Sequence, residues 1–180
     1  VVHFEGEQDT TEVKVIPDPR FKPMPEVDAA HYAILKRLDQ SVAQLGDALN
    51  RLNASQETLG NIQQQLDKVG YSEDHPLRAA SQEMEARLKA LNEQARGKRP
   101  DKQVGAWQSF EVPPYGQVSD VLWRLKGRTF EPSSQDEAEV AKAEKLVSAY
   151  AEAVDTFYDE EWKNYRQQVA EGELSWFGGE

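Results

Sequence analysis

The sequence predicts a mainly α fold: an elongated antiparallel bundle of three to four helices, two of them long, with a short β-hairpin at its N-terminal end. Three observations predict it. An apolar stripe at helical spacing runs unbroken from Val27 to Val69. A second long stripe runs from Ser134 to about Ala170. Between them, glycine and proline punctuate the chain at Gly70, Pro76, Gly97, Pro113, Pro114 and Gly127. The chain has 180 residues, enough for one domain with a real core. Residues 1–20 read as the hairpin, or as the last strands of a preceding β-sandwich. Residues 21–180 read as the helical domain.

Composition narrows the function. The chain holds 32 Asp and Glu against 21 Lys and Arg, a formal charge of −11. Such a surface repels phosphate and argues against nucleic acid as a partner. Charged residues make up 29%, which suits thin helices with much exposed surface. There is no cysteine, so disulfides, thiol catalysis and cysteine-based zinc sites are excluded. No apolar run reaches the ~18 residues that a membrane-spanning helix needs. The chain opens Val-Val-His with no initiator Met and no signal peptide. It reads as a piece of a longer protein whose targeting signal lies upstream.

In the first twenty residues, Val2 and Phe4 alternate with polar neighbours, Gly6 to Asp9 reads as a turn, and Glu12 to Val15 reads as a second strand. Asp18 before Pro19 is a turn residue. Phe21 to Glu26 forms a linker, and Pro25 or Glu26 begins the first helix. One core column is Leu38, Leu45, Leu52, Leu59 and Leu66. The spacing assigns Leu35, Val42 and Leu49 to the other, continued by Gln56 and Gln63. His31 sits at the N-terminal end of the leucine column, as an interfacial ring beneath the hairpin. Asp28 is the sole ligand type near it, and two ligands make no metal site. Gly46 and Gly60 flank the stripe and are expected to admit a close neighbour. At 1.5 Å per residue, the first helix is roughly 65 Å long.

Gly70 stops that helix. Ser72 or Asp74 is expected to cap the second, which carries Leu77, Met84 and Leu91 seven apart and ends at Gly97. Residues 97–116 read as a loop with a basic cluster (Arg96, Lys98, Arg99, Lys102) and two aromatics, Trp107 and Phe110. Val118, Val121, Leu122 and Leu125 give a third, short helix, with Trp123 off its apolar face. Ser133 or Ser134 caps the last helix, with Asp136 and Glu137 in its first turn. Its columns are Val140, Val147, Val154 and Ala143, Tyr150, Phe157. Beyond them the stripe drifts to Tyr158, Trp162, Tyr165 and Val169, which reads as a straighter helix changing neighbours partway. An up-down-up-down path would return the tail, with Trp176 and Phe177, to the hairpin and His31. The second and third helices share the flank that the long pair leaves.

No catalytic motif emerges. None of His3, His31 and His75 lies in a Glu-x-x-His pattern, and no phosphate loop, nucleophile elbow or His-Glu-x-x-His is present. The sequence therefore names no catalytic, cofactor-binding or metal residue and no cofactor. The candidate partner or glycan surface is Trp107, Phe110 and Tyr115.

Three stretches carry a family likeness: Val13-Lys14-Val15-Ile16-Pro17-Asp18-Pro19-Arg20, then Phe157-Tyr158 with Trp162-Lys163-Asn164-Tyr165-Arg166, then Leu174-Ser175-Trp176-Phe177. With the long leucine-striped helix between them, the chain resembles the C-terminal end of bacterial sortilin-like, sialidase-repeat β-propeller proteins. In that family a small β-sandwich ends in a strand with an Asp-Pro-Arg signature, and a helical domain follows. The resemblance implies an exported protein (periplasmic, outer-surface or secreted) whose glycosyl-hydrolase-like propeller lies upstream of Val1. It implies a non-catalytic accessory or interaction domain whose partners are the upstream domains of the same chain and a further protein; the other helices carry enough apolar surface to cover the long stripe within one chain, so a monomer is expected. Two alternatives stand beside this reading: part of a glycoside-hydrolase or protease unit, and a coiled-coil oligomerisation module.

Overall fold

The structure, a computed structural model, describes residues 2–4, 6–14, 16, 18, 20, 24–97, 112–128 and 130–172. The chain folds as the helical bundle its stripes call for. Helix α1 spans Pro25–Val69, 45 residues and about 68 Å. Pro25 occupies its first turn, where a missing N–H costs nothing, and Glu26 and Asp28 face the positive end of its dipole. It ends where Gly70 turns left-handed at φ 77°, a conformation that a side chain would strain. The N–H groups of Gly70 and Tyr71 then bond back to the carbonyls of Asp67 and Leu66.

All five leucines of the predicted column are buried. The second column lies one residue earlier than the spacing suggested. Ile34, Ser41, Ala48, Ser55 and Ile62 are buried, whereas Leu35 is half-buried and Val42 and Gln56 are exposed; only Leu49 of the predicted set is buried. The serines misled the sequence reading because an unbonded buried hydroxyl is costly. Here both are bonded: Ser41 Oγ donates to the Arg37 carbonyl at 3.5 Å, and Ser55 Oγ lies 2.7 Å from the Tyr158 hydroxyl. Gly46 and Gly60 also depart from expectation. A Cβ built on either meets no atom within 4 Å, so no neighbour presses on them.

Helix α2, Pro76–Arg96, folds back along α1. Its cap is His75, not Ser72 or Asp74: the His75 Nδ1 accepts from the Leu77 N–H at 3.3 Å. Helix α3, Pro114–Leu125, starts against the end of α2; a Cβ on Gly97 would lie 3.4 Å from Pro113 Cγ. Helix α4, Ser134–Phe157, opens with a capping box between Ser133 and Asp136. It passes through a π turn, Tyr158–Trp162, into α5, Lys163–Glu171.

Contacts between the long helices fix the path. Arg37 pairs with Glu137 and Glu144, Arg51 with Asp155, Ser55 with Tyr158, and the Tyr71 hydroxyl with the Gly172 carbonyl. The sequence separation stays between 100 and 107 throughout, so α1 and α4 run parallel. Helix α2 runs antiparallel to both, with Arg87 on Glu161 and Ser81 on Tyr165. Helix α3 continues in the same sense, bringing the Leu125 carbonyl to His31 Nε2 at 3.1 Å. The path is thus up, down, down again, then up. Gly172 lies by Tyr71 and Leu77, at the end of α1 far from Met24. The up-down-up-down expectation is corrected, and the group against the His31 ring is the end of α3, not the hairpin. The tail, residues 173–180, lies outside the described residues.

The drift in the last stripe has a local cause. Val140, Ala143, Val147, Tyr150, Val154 and Phe157 are buried at heptad spacing, and regular spacing would continue to 161, 164 and 168. The buried residues are instead Trp162, Tyr165 and Val169, each one later. The π turn accommodates that one extra residue and returns the apolar face to the core.

The hairpin is tighter than the sequence implied. Strand β1, Val2–Phe4, pairs antiparallel with β2, Glu7–Asp9, in the register Val2 with Asp9 and Phe4 with Glu7. The stretch read as the turn is therefore the second strand, and Gly6 at φ 86° makes the bend. Residues 12–14 form no strand, and Val13 and Ile16 are exposed. Asp18 is the expected turn residue: its carboxylate accepts from the Arg20 N–H at 3.0 Å and its side chain at 2.6 Å.

Three variants check this packing. Gly60→Ala should raise stability by roughly 0.5–1 kcal/mol, because the site is helical and empty; a lower melting temperature would contradict the open surroundings. Deleting Glu160 should leave a cooperative melt near that of the parent, since the π turn relaxes to regular helix. Deleting Lys145 should abolish cooperativity, because it rotates Val147, Tyr150 and Val154 by about 100°.

Candidate functional site

The charged groups that bridge helices are spent on structure. The Arg37 guanidinium forks onto the Glu144 carboxylate at 2.9 and 2.8 Å and reaches Glu137 at 2.6 Å. These acceptors, Glu144 first, raise its already high pKa further. Arg87 forks onto Glu161 with two bonds of 2.6 Å. Such half-exposed pairs each contribute no more than about 1 kcal/mol, but their forked geometry sets register. Two tyrosines, Tyr165 buried and Tyr158 half-buried, end in serines. The Ser81 Oγ donates to the Leu77 carbonyl at 2.7 Å and accepts from Tyr165 at 2.9 Å. Burial pushes the phenols of Tyr165 and Tyr158 up, and that of Tyr150 to about 12. Among the described residues the Tyr150 hydroxyl has no hydrogen-bond partner.

Asp136 is the one buried carboxylate among the described residues. It accepts from the Ser133 hydroxyl at 2.7 Å and the Ser133 N–H at 2.9 Å, and from Arg128 at 3.0 Å. Arg124 stands 3.9 Å away. The Ser133 bonds above all, then the two arginines, hold its carboxyl below the ordinary value of 3.8. This is a cap that ties α3 to α4, with every oxygen occupied.

A second kind of surface lies between α1 and α3. Val42, Leu45 and Leu49 form one wall of a groove, and Val118 and Leu122 form the other. Gly46 leaves it open, and the free volume is about 260 Å³. Its polar lining side chains are the hydroxyls of Tyr115 and Ser119; no charged residue lines it. Tyr115 stands half-exposed at one end, with the Arg96 guanidinium 5.9 Å from its ring centre. Trp123 is 84% exposed and lies four residues beyond Ser119, on the same side of α3. This lining is mostly apolar; it offers neither a carboxylate pair nor a nucleophile beside a base.

Of the three predicted surface residues, the structure places Tyr115 at this groove. Trp107 and Phe110 lie outside the described residues, as do Lys98, Arg99 and Lys102 of the basic cluster. Val42, Gly46 and Leu122 were missed as surface residues. The signal was present in part: Val42 lies between Leu35 and Leu49 on an apolar line of α1, and of the three it alone is exposed. Asp28 and His31 gather no further ligand, and among the described residues no group of three His, Asp or Glu could hold a metal ion. None of the described helices is long and apolar enough to cross a membrane.

Comparison with family models, curated proteins and solved structures finds no match for this chain.

Asp136 gives a pH test. Its folded pKa is depressed, so its contribution is complete above the unfolded value and is lost as pH falls through the folded one. Asp136→Asn should cost about 1–2 kcal/mol at neutral pH. Thermal melts from pH 6 to pH 2 should show the parent losing more stability than the variant. Parallel losses would contradict the cap's ionised role.

Proposed function

We propose that this chain is a non-catalytic accessory domain that acts as a spacer and interaction surface. One observation carries the reading: the bundle makes an odd number of passes. Helices α2 and α3 lie end to end as a single return, so Met24 and Gly172 sit at opposite ends of a rod about 68 Å long. A four-pass bundle would return the chain to its start. A three-pass rod holds apart whatever is joined to its ends. The resemblance to sortilin-like, sialidase-repeat proteins supplies the setting: an exported protein in which the rod follows a β-sandwich and a glycosyl-hydrolase-like propeller. Asp18 and Arg20 would then mark the junction, at the end of the rod where α1 begins.

The isolated domain should unfold cooperatively as a monomer and show no turnover of sialosides, other glycans or peptides. Turnover without a propeller would replace this reading with a glycoside-hydrolase or protease unit. A concentration-dependent dimer in light scattering would replace it with a coiled-coil oligomerisation module.

A further inference from the structure

Two histidines hold opposite ends of the rod, and their bonds differ in kind. His31 Nε2 lies 3.1 Å from the carbonyl oxygen of Leu125, at the C-terminal end of α3. A ring N–H donates to that oxygen whether the imidazole is neutral or protonated. His75 is the reverse case. Its Nδ1 accepts from the Leu77 N–H at 3.3 Å, so that nitrogen carries no proton. The bond belongs to the neutral ring: it is present at high pH and lost as pH falls through the histidine range, about pH 8 to 5. A protonated ring in the same place would point its Nδ1–H at the Leu77 N–H, at the positive end of the α2 dipole.

The ring supports more than one N–H. It packs on Tyr71 with ring centres 4.1 Å apart, and the Tyr71 hydroxyl donates to the Gly172 carbonyl at 3.4 Å. Leu77 is also the side chain on which Gly172 sits: a Cβ built on Gly172 would lie 2.6 Å from Leu77 Cδ1. Both supports of the end of α5 therefore meet at His75. The other charged groups at this end are Asp67 and Lys68 on α1, Glu73 and Asp74 in the turn, Arg78 on α2 and Glu171 on α5. The Arg78 guanidinium donates to Asp67 at 2.7 Å and to the Tyr71 carbonyl at 3.1 Å, and Glu171 accepts from Gln167 at 2.9 Å. Residues of these types, and tyrosine, ordinarily titrate outside the histidine range.

We propose that His75 is an acid-released latch at the turn between α1 and α2. Its neutral ring caps α2 and steadies the end of α5, and its protonation frees both. The latch stands independently of the accessory-domain reading. The test is nuclear magnetic resonance of the full chain across the histidine range, about pH 8 to 5. Ring carbon shifts report the protonation of His75, and amide exchange, corrected for its intrinsic pH dependence, reports protection. Protection at Leu77 should fall about fivefold or more as the ring protonates, the loss expected for a helix cap, and that at Gly172 should fall with it. Protection at Lys126 and Arg128, whose amides bond within the His31 end, should stay constant. His75→Asn keeps an acceptor that gains no proton and should hold Leu77 protected throughout; His75→Ala should leave it unprotected throughout. Circular dichroism melts confirm that both fold. Protection that persists in the parent while the ring protonates, or falls equally at both ends, overturns the latch. So does a ring that stays neutral throughout, or an acid loss in His75→Asn equal to the parent's.

Discussion

The structure depends on covering one long apolar stripe. Helix α1 carries buried residues from Ile34 to Leu66, and each large one contributes about 1.5–3 kcal/mol only if water is excluded beside it. No isolated helix of this kind is stable by propensity alone. The remaining elements follow from that need. Helices α4 and α5 cover one side along the length of the stripe. Neither α2 nor α3 is long enough for the other side, so the two lie in tandem along it. Three passes result, and with them the separation of the two ends.

The contact between the long helices relies on small residues. Ser41, Ala48 and Ser55 lie where larger side chains would hold α4 away, and Ser55 and Ser81 bond the hydroxyls of Tyr158 and Tyr165. Those tyrosines keep the bulk of a core residue without leaving a buried donor unmet. The π turn belongs to the same solution. One extra residue in a heptad stripe would turn Trp162, Tyr165 and Val169 away from α2, and a single wide turn restores them.

Much of this was legible in the sequence, because stripes, caps and stops are local. Pro25, Gly70, Gly97 and Ser133 mark helix boundaries by backbone chemistry, and Leu38 to Leu66 mark a face by spacing alone. The errors arose where a choice depended on a distant partner. Ser41 and Ser55 were left out of both core columns because their hydrogen-bond partners, one on the same helix and one 103 residues away, are not written beside them. Val42 read as core because it is apolar, although α3 leaves it at a rim. The second strand moved from residues 12–15 to Glu7–Asp9 because β-branched composition weighed more than the single left-handed turn at Gly6. The direction of α3 carries no local signal, so the path was open. Of the candidate surface, Tyr115 was named for its aromatic character, whereas the groove beside it required both helices in place.

The parallel run of α1 and α4 is the central claim, since the tandem return, the separated ends and the exposed groove all follow from it. The chain has no cysteine, so spin labels can be placed on Lys68→Cys and Glu171→Cys without interference. Both positions are exposed. Pulsed electron resonance should give a single distance within about two helix diameters, roughly 20–25 Å. A distance near 50 Å, as an antiparallel pair of these helices would produce, would contradict the account.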